Sequence, residues 1–148
     1  MVAMSRAELI KELLDSYATR VGRELIVRTG DDDEDVRQID ALEAVVLAHD
    51  GAADPVFTYA NEAAAALWNT TVDQLIGMPS RLSAAPEHRD ARASALGAAL
   101  ATGVVLDYSG ERQALDGSRF MIHNATLWTF VNGPGQAATF TDWSPAAV

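Results

Sequence analysis

Asp54-Pro55-Val56-Phe57-Thr58-Tyr59-Ala60-Asn61-Glu62-Ala63-Ala64, followed by Trp68, Leu75-Ile76-Gly77 and Pro79, is the stretch whose reading decides the fold. Pro55 to Tyr59 places β-branched and aromatic residues after a proline, the composition of a short strand. Asn61 comes next, with a side chain suited to accept amide hydrogens at the start of a helix over Glu62 to Trp68. Thr71 with Gln74 repeats a capping signal, and Gly77 with Pro79 stops a second helical turn. The order is strand, asparagine cap, small alanine-rich helix, and a turn closed by glycine.

Toward the N-terminus, Val45-Val46-Leu47 is a buried-looking apolar run within a strand over Ala44 to His49, and Asp50-Gly51 is a tight-turn signal. The two strands predict an antiparallel hairpin. Upstream lie a short helix over Val36 to Leu42 and the acidic run Asp31–Asp35, which reads as a solvated linker because like charges repel and stay in water. That run lacks the glycine and the terminal glutamate of a calcium-binding loop. The first element is a helix from Arg6 to Arg20, with Ser5 and Glu8 as a capping box. Leu9, Ile10, Leu13, Leu14, Tyr17 and Val21 fall on one of its faces. Such a stripe gains its stability by docking, either on the chain's own sheet or on the same helix of a second subunit. A homodimer through this helix is the assembly expected.

Toward the C-terminus, a helix fits Pro86 to Ala101, with proline in a tolerated first turn and Gly103 just past the end. A meander follows: Val104 to Ala114, a turn at Asp116-Gly117, Arg119 to Val131, a turn at 132–135, and Gln136 to Trp143. Strict alternation along the long strand puts Phe120, Ile122, Asn124, Thr126, Trp128 and Phe130 on one face. Met121, His123, Ala125, Leu127, Thr129 and Val131 take the other. Both faces carry apolar groups, so both need cover, and the N-terminal helix is the available cover for the second.

At 148 residues and 49% hydrophobic content, the chain has material for one domain of ordinary size. The reading divides it into an N-terminal helix with acidic linker (1–35) and a folded domain (36–148). No apolar run approaches the roughly 20 residues of a membrane span, and the first residues do not resemble a signal peptide, so a soluble cytoplasmic protein is expected. The absence of cysteine excludes disulfides, thiolate zinc sites and cysteine-based covalent catalysis. A net charge of -10 opposes binding to a phosphate backbone, so no nucleic-acid partner is expected.

From Ala44 to Trp143 the chain resembles a PAS domain, and in particular the MEKHLA branch of that superfamily. The residues that carry the resemblance are Leu47-Ala48-His49-Asp50, Asp54 to Asn61, Pro79-Ser80-Arg81-Leu82-Ser83-Ala84, Pro86-Glu87-His88-Arg89, Asp107-Tyr108-Ser109-Gly110-Glu111-Arg112, Gly117-Ser118-Arg119-Phe120 and Phe140-Thr141-Asp142-Trp143. The resemblance implies an α+β fold: a five-stranded antiparallel sheet with helices across one face, a pocket between them, and here an N-terminal helical extension. It names no ligand. The function it implies is a non-catalytic sensory module that binds a small organic ligand, a protein partner, or both. With no output domain in view, the signal is expected to pass to a downstream signalling protein.

The polar and aromatic residues in and near these segments define the candidate ligand-binding set: Arg81, Ser83, His88, Arg89, Tyr108, His123 and Trp128, with Asp107 and Ser109 beside them. Each has a plainer structural reading. Arg81 can satisfy helix-end carbonyls, Arg89 can pair with Asp107, Tyr108 can be a core residue, and the tryptophans Trp68 and Trp128 can be simple core. His88 and His123 are the imidazoles to weigh for haem, which needs an axial ligand and a roomy apolar cavity. A light-sensing flavin adduct requires a cysteine the chain lacks, and noncovalent flavin has no glycine-rich phosphate loop to support it. The cofactor is left unassigned and no metal is expected. The rival readings are a haem-binding sensor and a small acid-base enzyme with a cone-like α+β pocket, built from His88, His123, Asp107 and Glu87. Ser109-Gly110 reads as a strand irregularity.

Overall fold

The structure, a computed structural model, describes residues 4–146. Helix α1 (Arg6–Val21) starts at Ser5, whose hydroxyl accepts the Glu8 amide at 3.1 Å, and ends at Gly22 in the left-handed conformation. Helix α2 (Asp32–Asp40) corrects the linker reading of the acidic run. Asp31 accepts the amides of Asp33 and Glu34, and the next four acidic residues form the first turn, where the helix dipole favours negative charge. Asp35 is buried there and accepts both the amide and the hydroxyl of Thr29 at 3.0 Å.

Strands β1 (Val45–His49) and β2 (Phe57–Ala60) form the expected antiparallel hairpin. Short helices α3 (Glu62–Leu67) and α4 (Val72–Leu75) and two 3-10 turns (Ser80–Ser83 and Pro86–His88) lead to helix α5 (Arg89–Thr102), closed by Gly103. Strands β3 (Val104–Gln113), β4 (Arg119–Thr129), β5 (Gln136–Phe140) and β6 (Asp142–Pro145) complete an antiparallel sheet of order β2-β1-β5-β4-β3. The last strand expected from the sequence is two strands, broken at Thr141: β5 pairs with the second half of β4, and β6 with the first half. The fold is the α+β, PAS-like architecture that the sequence implies.

The sheet is the middle of three layers. On one face Val45, Leu47, Phe57, Phe120, Ile122, Ala125 and Phe140 pack with Trp68 and the α3 alanines, and Trp68 stands edge-on to Phe120 and Phe140. On the other, Val46, Ala48, Tyr59, Trp128, Phe130 and Ala137 pack under Ile10, Leu13, Leu14 and Tyr17 of α1. All five residues of β1 are buried because both faces of the sheet are covered. The stripe of α1 is thus taken by the chain's own sheet, not left for a second subunit. Polar bonds fix the docking: Trp128 Nε1 donates to the Leu13 carbonyl at 3.2 Å, the Val131 amide to Ser16 at 2.9 Å, and the Asn132 amide to Glu12 at 2.9 Å.

Strict alternation on β4 fails at one place, and this corrects the face assignment. Asn124 and, across the ladder, Asp107 both adopt positive φ, 54° and 57°, and the β3–β4 register slips on either side of Tyr108. Each strand carries one extra residue, and a single extra residue exchanges the faces beyond it. Phe120 and Ile122 therefore share a face with Ala125 and Leu127, while Trp128 and Phe130 turn to α1. The irregularity read at Ser109-Gly110 is part of this paired bulge. No helix among the described residues is long and apolar enough to cross a membrane.

Asn61 joins the layers. Its carboxamide oxygen accepts the amides of Ala64 and Val46, both at 3.1 Å, and its nitrogen donates to the carbonyls of Ala44 at 2.8 Å and Ile39 at 3.2 Å. The residue is almost completely buried. Losing it removes a helix cap and strands buried backbone groups, each effect costing roughly 1–3 kcal/mol. Asn61→Ala is expected to lower unfolding stability in urea by about 3 kcal/mol, and a loss under 1 kcal/mol would show that neighbouring groups or water take over its bonds.

Candidate functional site

Between the sheet and α5 lies an inner cavity of about 40 Å³. Its walls are mostly apolar, with Leu47, Phe57, Trp68, Ile122, Leu127 and Phe140 among them, and its polar lining is His49, Ser83, Arg92 and Arg112. His49, Arg92 and Leu96 are shared with an outer cleft of about 510 Å³ between α5 and the loops 50–55 and 133–135. Arg81 and Arg89 line this cleft. Gly135, at φ 139°, lets the loop close there, since a Cβ on it would press on the His49 carbonyl and the Phe130 ring.

The structure distributes the sequence-derived set unevenly. Ser83 lines the inner cavity, and its hydroxyl donates to the Ser80 carbonyl at 2.7 Å. Arg81 and Arg89 stand at the outer cleft: Arg81 pairs with Asp54 at 3.1 Å, and Arg89 donates to the Ala84 carbonyl at 3.2 Å, not to Asp107. Asp107 is exposed at its bulge, so the proposed Arg89–Asp107 pair is absent. Tyr108 is half-buried; its hydroxyl accepts from Arg112, whose guanidinium also stands 5.4 Å over the Tyr108 ring. His88 bonds Glu111 at 3.0 Å, and His123 bonds the Ser144 hydroxyl at 2.9 Å. Neither imidazole lines the inner cavity. Trp128 lies on the other face of the sheet, sealed beneath α1 and edge-on to Tyr17.

Three residues that the sequence reading did not single out face the cavity instead. Arg92 falls at helical spacing with Leu96 and Ala99 on the inward face of α5, the signal that would have exposed a charge among apolar positions. Arg112 follows Tyr108 and Gly110 at the period of a strand. Gly110 is a fitted position, because a Cβ there would collide with the Tyr108 hydroxyl. His49 ends β1 with its Nδ1 2.8 Å from the Asp50 carbonyl, which requires a proton on Nδ1 and leaves Nε2 buried without a partner among the described residues.

Burial dominates the electrostatics. It pushes the His49 imidazole below its ordinary range, opposed by the bond to Asp50 and aided by the charge of Arg92. Burial, with the like charge of Arg112 second, also brings Arg92 down to about 10. Among the described residues Arg92 and Arg112 have no carboxylate partner, and no cluster of acidic and imidazole groups suits a metal ion. Haem does not fit the inner cavity: 40 Å³ is room for about three water molecules, and His88 and His123 lie outside it. A flavin ring system is too large for the same space.

With this geometry in view, comparison with known structures defines the class. A PAS domain of a Colwellia psychrerythraea protein aligns with a TM-score of 0.63 at 15% identity, over 77% of this chain and 95% of that one. A fungal LOV-domain photoreceptor gives 0.61 at 15% identity, over 96% and 95%. The PAS domain of a LuxR-family transcriptional regulator from Burkholderia thailandensis, in complex with ethanol, gives 0.56 at 15% identity, over 70% and 92%. The fold is that of a PAS domain. More narrowly, the MEKHLA domain matches residues 7–145, and the chain belongs to that family. No curated protein sequence matches it.

The His49 shift has a sign that can be tested. The unfolded imidazole takes a proton near pH 6.5 while the folded one resists it, so the unfolded state binds more protons as the pH falls below that value. Stability is therefore full above about pH 7 and declines as the pH falls below 6.5, by at most about 1.4 kcal/mol per pH unit. Urea titrations of the wild type and His49→Gln at pH 7, 6 and 5.5 should show this slope in the first and a flatter one in the second. Equal slopes would assign the pH dependence to other groups.

Proposed function

We propose that the chain is a non-catalytic sensory module that binds a small organic ligand in the inner cavity and passes its occupancy to a separate signalling protein. The observation that carries this reading is a cavity between sheet and α5 whose walls are apolar and whose few polar groups include an imidazole nitrogen without a partner. The MEKHLA membership and the PAS fold support a sensor module. The ethanol-bound PAS neighbour supports a ligand of a few atoms, the size this cavity suits. Against the acid-base enzyme stands the lining of the cavity, which contains no carboxylate to act with His49.

Homodimerisation through α1 is not part of the proposal, because the stripe on which it rested is buried within the chain. Occupancy is better read out through α5, which walls both the cavity and the cleft.

Native mass spectrometry of freshly purified protein, with melting shifts across a panel of small metabolites, tests this reading. A stabilising ligand is expected, displaced by a cavity-filling change such as Ala138→Leu, at a β5 residue that lines the inner cavity between Leu47 and Leu127, and unaffected by His123→Ala. Turnover of a metabolite, or no stabilisation by any compound, would overturn it.

A further inference from the structure

Arg92 and Arg112 are the least expected residues of this molecule. The chain carries 21 acidic and 11 basic residues, yet these two residues, at 9% and 7% exposure, pair with no carboxylate among the described residues. The acidic residues that line the outer cleft with Arg92, Asp50 and Asp54, and Glu111 next to Arg112 on β3, are committed elsewhere. Glu111 holds His88 and Arg119, Asp54 holds Arg81, and Asp50 accepts the Ala52 and Val56 amides. Arg112 has the Glu111 carbonyl at 2.8 Å, the Tyr108 hydroxyl at 3.2 Å and the face of the Tyr108 ring at 5.4 Å, none of them an anion, and Arg92 makes no hydrogen bond to the described residues. A buried charge without a partner is strongly unfavourable, and two like charges on one cavity are more so. The depressed affinity of Arg92 for its proton, caused by burial and by Arg112, reports the same conflict.

We propose that the inner cavity takes the carboxylate end of a small organic acid, held by Arg92 from α5 and Arg112 from β3. The inference rests on the sensory reading above and names the chemical class of its ligand. A carboxylate is planar and matches the guanidinium fork, whereas a phosphate group is bulkier and finds little polar wall here. Leu47, Phe57, Ile122 and Phe140 wall the space around the carboxylate, which at about 40 Å³ holds little of a hydrocarbon tail. A longer tail passes His49 and Leu96 into the outer cleft.

Calorimetric titration of the full chain at matched ionic strength tests the assignment with sodium butyrate, its neutral isostere butyramide, and inorganic phosphate. Butyrate is expected to bind, with butyramide and phosphate weaker by on the order of tenfold or more. Arg92→Gln and Arg112→Gln should each weaken butyrate by a similar factor, while Arg37→Gln, on the exposed Glu34 pair of α2, leaves it unchanged. The isostere comparison uses wild-type protein, so it stands even where a variant misfolds. Butyramide binding as tightly as butyrate, phosphate outcompeting it, no butyrate binding, or full affinity in both glutamine variants would each overturn the inference. If neutral compounds stabilise the protein while butyrate does not, the carboxylate assignment fails and the sensory reading survives. If no compound of any class does, both fail.

Discussion

The carboxamide of Asn61 is the point on which the three layers converge. It caps α3 on one face of the sheet, takes the Val46 amide and the Ala44 carbonyl at the start of β1, and reaches the last turn of α2 on the other face through the Ile39 carbonyl. One buried side chain thereby satisfies four backbone groups from three elements, with no donor or acceptor of its own left over. The direction in which the chain leaves β2 follows from it. Trp68, at the end of α3, is then set against Phe120 and Phe140, and its ring becomes a wall of the cavity.

This part of the fold was legible because its signals are local. A strand followed by asparagine, an alanine-rich turn and a glycine stop can each be read within a few residues, and local chemistry agreed with the final architecture. The acidic run was misread for a related reason. Five consecutive acidic residues look like a repelling linker, but four of them sit at a helix start, where the free amides and the dipole reward negative charge. The strand β4 was misread because alternation is a rule of unbroken strands. Asn124 and Asp107 are residues that tolerate positive φ, and nothing in their sequence neighbourhood distinguishes a bulge from a turn.

The candidate site divides along the same line. Arg81 and Ser83 reach one cavity or the other because they lie in the irregular segment between α4 and α5, which the fold places at the mouth, and Arg89 because it opens α5 there. Trp128 fell out because the bulge turned it to α1, and His123 because it faces Ser144. Arg92 went unremarked because the weakly amphipathic, alanine-rich sequence of α5 hides which of its charges points inward; only the register with Leu96 and Ala99 separates it from the solvated Asp90. Arg112 and His49 were inside segments already quoted for the family resemblance, and only their depth marks them out.

On the proposed reading, the two buried arginines also bear on how occupancy of the cavity would reach the surface. Arg92 belongs to α5 and Arg112 to β3, and these elements pack directly on each other. Two like charges across that junction oppose its closure, and an anion between them reverses the sign of the interaction. A group bound there would draw the helix toward the sheet without a hinge or a change of secondary structure. The opposite side of the sheet cannot follow easily, since α1 is held by Trp128, Ser16 and Glu12. On the proposed reading, a displacement would therefore fall on α5 and the loops at the cleft, not on α1.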